Sequence, residues 1–83
     1  MWPFSRPAPK LKDWLTREQA CEVTNVFYAD HDANCWYACA LLPAHDGIRI
    51  AAASQAEAAG LAQALAAEVL AKSGRSFSVK AGP

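Results

Sequence analysis

Between Ser54 and Lys72 the chain reads SQAEAAGLAQALAAEVLAK, and its apolar positions recur with the period of a helix. At about 100° per residue, Leu61, Leu65 and Val69 share one stripe, which Ala58, Ala62, Ala66 and Leu70 widen. The reverse side carries Glu57, Gly60, Gln63, Ala64, Ala67 and Glu68. Ser54 and Glu57 have the spacing of a capping box, in which the hydroxyl takes one orphan N–H and the carboxylate reaches back to another. Ser73-Gly74 supplies the stop, because Gly enters the left-handed conformation past the last turn. Lys72 and Arg75 place positive charge at the negative end of the helix dipole. The pattern predicts a long helix, apolar in front and smooth behind, where a surface helix normally carries more Lys and Glu. The back is either an Ala-rich solvent face or a protein interface, with Gly60, Ala64 and Ala67 letting another backbone approach closely.

Upstream the period shortens to two. Glu22 to Ala29, EVTNVFYA, is β-branched and aromatic and reads as a strand, with Val23, Asn25, Phe27 and Ala29 on one face and Thr24, Val26 and Tyr28 on the other. Asp30 to Asn34 is a turn by composition. Cys35 to Leu42, CWYACALL, is apolar on both faces, which suits a covered central strand or a buried helix; its length, its aromatics and the closing Pro43 favour the strand. Pro43 to Gly47 is a second turn, and Asp46-Gly47 is a hairpin signal. Ile48 to Ala53 reads as a third strand, with Ile48, Ile50 and Ala52 inward. Ser76 to Lys80 reads as a short last strand, inward at Phe77 and Val79.

Leu11 to Ala20 reads as a short helix, with Asp13 or Thr16 as cap and Gln19 able to complete a box with Thr16. Residues 1–10 contain Pro3, Pro7 and Pro9 and form an extended arm. The arm nevertheless carries Trp2 and Phe4, which either plug the core edge or dock on a partner. The predicted fold is α+β: a three-stranded antiparallel meander plus a short fourth strand, a long C-terminal helix packed on the sheet, and a short N-terminal helix. The arm spans 1–10, a single domain 11–80 and a tail 81–83. The last strand, if it joins the sheet, is expected parallel to the third.

The 83 residues are enough for one compact core, and Ala supplies much of the apolar content, so that core is shallow. A second copy would help so small a chain. Net charge is zero, which argues against a polyanion binder working by general electrostatics. Three cysteines, Cys21, Cys35 and Cys39, with no secretory leader, point to a reducing, cytoplasmic setting rather than a disulfide scaffold. No apolar run has the length of a membrane span. The abundance of Ala, with some Gly, Pro and Arg, suggests a GC-rich bacterial or phage genome.

Candidate chemistries are weak. His31, Cys35, Cys39 and His45 are zinc-ligand types, but on a strand Cys35 and Cys39 stand about 13 Å apart at ~3.3 Å per residue, too far for one ion. A hairpin register pairing Ala29 with Cys35 would bring that thiol near His31 and Asp32, the minimum for a thiol enzyme, yet no nucleophile motif surrounds it. Asp30, Asp32 and Asp46 read as turn formers. The α–β–β–β–α order resembles double-stranded-RNA-binding domains in element order alone. Such a module needs a basic patch at the start of its last helix, where this chain has Gln55 and Glu57. The expectation is therefore a non-catalytic protein-interaction module, an accessory or inhibitor protein without cofactor or metal. Its partner would be another protein or a second copy, and its candidate interface residues are Trp2, Phe4, Gly60, Ala64 and Ala67. Nucleic-acid binding and metal- or thiol-dependent chemistry are the alternatives.

Overall fold

The computed structural model describes residues 13–30 and 35–82, with His45 and Asp46 as backbone only. The arm with Trp2 and Phe4, and the turn with His31 and Asp32, lie outside the described residues. The elements are α1 (Arg17–Glu22), β1 (Asn25–Asp30), β2 (Trp36–Leu42), β3 (His45–Ala52), α2 (Gln55–Ser73) and β4 (Lys80–Ala81). The sheet order is β3-β2-β1-β4, antiparallel except for the parallel β1–β4 pair. The architecture is α+β, with α2 lying across one face of a mixed four-stranded sheet.

Cys35 to Leu42 resolves as strand from Trp36 onward, and its two-faced apolarity has a direct cause. Ala38, Ala40 and Leu42 join the core beneath α2, while Cys39 is buried on the opposite face with Phe27 and Ala29. Across the sheet Val26, Ala40 and Ile48 stand in one row, and Tyr28, Ala38 and Ile50 in the next. Large residues on the flanking strands thus bracket small ones in the centre, and α2 sinks Leu65 and Val69 into that trough.

Several boundaries differ from the sequence expectation. The first helix starts at Arg17 rather than Leu11, because Thr16 forms a full capping box with Gln19 and fixes the start there. β1 begins at Asn25, not Glu22, since α1 continues to Glu22. Val23 precedes the strand and packs in the core with Val26 rather than on the Phe27 face. The hairpin pairs Ala29 with Tyr37 and Asp30 with Trp36, so Cys35 is not opposite Ala29. The last strand is only Lys80–Ala81. It joins the outer side of β1 rather than the third strand, with Phe77 and Val79 packed against the core on the way. A hydrogen bond from the Gly82 N–H to the Tyr28 carbonyl (2.6 Å) draws Gly82 of the predicted tail into that edge.

α2 starts as its sequence implies: Ser54 is extended and its Oγ accepts from the Glu57 N–H at 3.1 Å. Glu57 reaches one residue further back than a standard box, accepting from the Ala53 N–H at 2.7 Å. At the other end Gly74 has φ 75° and closes onto the Leu70 carbonyl at 2.8 Å. The helix is rotated relative to the predicted faces. Glu68, expected on the outside, is 1% exposed, whereas Leu70, expected on the core stripe, is 51% exposed. The rotation follows from α1 packing against one flank of α2. The segment leading into α1 presents its Trp14 and Leu15 N–H groups to the Glu68 carboxylate at 3.3 and 2.7 Å. Lys72 joins the cluster, donating to Glu68, Asp13 and the Leu15 carbonyl. Arg75 donates at 2.7 Å to the Cys21 carbonyl near the end of α1, rather than serving α2 alone.

Among the described residues β3 carries the one irregularity of the sheet. Ala40 pairs with Ile48 and Leu42 with His45, so two steps on β2 face three on β3. Gly47 takes this bulge at φ 101°, and a Cβ there would meet the Ala40 carbonyl oxygen at 2.5 Å. From Ile48 to Ala52 the pairing is regular.

Candidate protein interface

β3 lies at one end of the sheet order, and among the described residues nothing pairs with its outer side. A strand in that position presents a row of main-chain donors and acceptors to solvent. Natural edges are commonly blunted with charged side chains, Lys above all, with Pro or with a bulge. β3 has no Lys or Pro; its bulge lies before the regular stretch, and the one charge in that stretch, Arg49, lies over the Tyr37 ring. Its helix-facing side chains are also under-covered. α2 packs most heavily on β2 and β1 and more lightly on β3. Val26, Ala38 and Ala40 are accordingly fully buried while Ile48, Ile50 and Ala52 are only half-buried.

The open face of the sheet adds a groove beside this edge. It is shallow, about 270 Å³, and lined by Cys35, Trp36, Tyr37, Arg49 and Ala51. The Arg49 guanidinium lies 5.6 Å from the centre of the Tyr37 ring, and Phe27 meets that ring edge-on at 6.3 Å. The Tyr37 ring with the Arg49 cation over it suits the side chain of an extended segment laid along β3, since strand addition draws affinity from the main chain and selectivity from alternate pockets.

The residues singled out on α2 differ in exposure. Gly60 and Ala67 are exposed on one solvent-facing arc with Gln63 and Leu70, and open space lies beyond Gly60. Ala64, one turn before Glu68, is half-buried at the margin of that arc. Ile48, Ile50 and Arg49 were not singled out by their sequence. Their signal was the meander itself, whose third strand becomes an edge once the last strand joins β1.

The thiols are dispersed. Cys21 and Cys35 are exposed and Cys39 is buried. Burial pushes the Cys39 thiol above its ordinary range, against a smaller opposing pull from Arg49. Two thiols are therefore expected to react promptly with Ellman's reagent in the native protein, and the third only after unfolding in guanidinium; prompt reaction of all three would contradict the packing of Cys39. Among the described residues no group of three or more His, Cys, Asp or Glu side chains is placed to hold a metal, and no helix is long and apolar enough to cross a membrane. No protein-family model, curated protein or solved structure matches this chain.

Proposed function

We propose that this chain is a non-catalytic protein-interaction module that accepts an extended segment of another chain along the outer edge of β3. The observation that carries the reading is the regularly paired stretch from Ile48 to Ala52, with its outer side unpaired among the described residues and its Ile side chains half-covered. The groove of Trp36, Tyr37 and Arg49 supports it as the place where one side chain of the added segment is read. A cytoplasmic setting fits the free thiols. The Ala-rich composition fits a GC-rich bacterial or phage source.

A random peptide library displayed against the immobilised protein tests the reading. Selected peptides are expected to lose binding to Ile50→Lys and to keep it with Gly60→Glu. Peptides that ignore Ile50→Lys and depend on Gly60 would move the binding surface to α2.

A further inference from the structure

We infer that the segment β3 accepts is β3 of a second copy, paired antiparallel about a two-fold axis passing beside Ile50. The inference rests on the reading of β3 as the binding edge and names its occupant. A two-fold axis normal to the sheet keeps α2 of both copies on the same side and sets the strands antiparallel, so directly opposed residues share a face. The regular stretch 48–52 is centred on Ile50, between the bulge at Gly47 and the turn into α2 at Ala53-Ser54. Centred there, Ile50 stands opposite Ile50 of the second copy, Ile48 opposite Ala52 and Arg49 opposite Ala51. The helix side of the seam is then wholly apolar, built from side chains that are half-buried in the single chain.

The neighbouring registers are worse for identifiable reasons. Centring on Arg49 places two guanidinium groups directly opposite, and like charges so placed are destabilising. Centring on Ile48 sets Arg49 against Gly47, where φ is 101° and the ladder is already broken. Arg49 is the only charged residue in 48–52, and the Ile50-centred register puts it beside an alanine next to the Trp36–Tyr37 groove. A net charge of zero sets no overall repulsion against self-association.

Sedimentation equilibrium of the full chain under reducing conditions, near ~100 μM where a micromolar dimer is populated, is expected to show a dimer. Ile50→Lys should weaken association at least about tenfold, from opposed like charges on the axis, without changing the far-ultraviolet circular dichroism. As a second readout, Ile50→Cys in a Cys21→Ser, Cys35→Ser background should form a covalent dimer under oxidised glutathione, and Ile48→Cys in that background should not. Should Ile50→Lys fail to fold, this crosslinking pattern decides alone. A monomer that also fails to crosslink overturns the inference, and if library peptides still depend on Ile50 the strand-addition reading survives it. A dimer that ignores Ile50→Lys but is broken by Ala67→Glu overturns both.

Discussion

Replacing Glu68 with Leu is expected to destabilise the protein by about 3 kcal/mol, the low end for breaking a buried ion pair. Glu68 is 1% exposed, and its two oxygens accept from the Trp14 and Leu15 N–H groups and from Lys72. Deleting the carboxylate strands those donors, and each unsatisfied buried donor costs about 1–3 kcal/mol. Asp13 and the Leu15 carbonyl remain for Lys72, at 2.8 and 2.6 Å, which limits the loss on that side. For a domain this small the melting temperature should fall by about 12–24 °C, at ~4–8 °C per kcal/mol. Urea titration measures the loss, and a value under about 1 kcal/mol, the worth of one ordinary hydrogen bond, would contradict the role given to this carboxylate. The same cluster gives an alkaline signature. Hydrogen bonds to Asp13 and then Glu68 raise the Lys72 pKa above its ordinary 10.5. Its contribution is therefore complete below 10.5 and is lost as pH climbs through the higher folded value. The Asp13→Asn variant should flatten that alkaline decline.

Leu65→Ala is expected to cost about 3–4 kcal/mol, within the usual range for a buried leucine. Leu65 is 0% exposed and shares its core cluster with Ala38, Ala40, Ala62 and Ala66. Alanines have no side chain able to swing into the space vacated, so the cavity persists and the cost stays high. Leu70→Ala, on the 51% exposed side of the same helix, should change stability by no more than about 0.5 kcal/mol. The paired denaturation curves check the rotation of α2 directly. Comparable losses at both positions would place Leu70 in the core, as the hydrophobic pattern of the helix suggests.

That pattern made most of the fold legible. The apolar period of α2, its Ser54 start and Gly74 stop, and the three short apolar runs of the meander with their turns are local properties that sequence carries well. The rotation of α2 was not legible, because it depends on what packs beside the helix. Glu68 looks like a solvent residue until the segment before α1 presents two N–H groups to it. The position of the last strand was hidden for a similar reason: SFSVK alternates like a strand, yet Phe77 and Val79 serve the core from an irregular segment. The smooth back of α2 was visible as Gly60, Ala64 and Ala67, but the β3 edge was not. Whether a strand is central or an edge follows from topology, and four apolar residues among 48–52 read the same in both places.

The most direct test of β3 as the binding edge is residue-resolved amide hydrogen exchange on the full chain, compared between dilute and concentrated samples. Outward-facing amides at alternate positions from Ile48 to Ala52 should exchange freely when dilute and become protected on concentration, while α2 amides at Gly60 and Ala67 stay unchanged. Protection that leaves Ile48 to Ala52 untouched, or that appears instead around Gly60 and Ala67, would contradict the account.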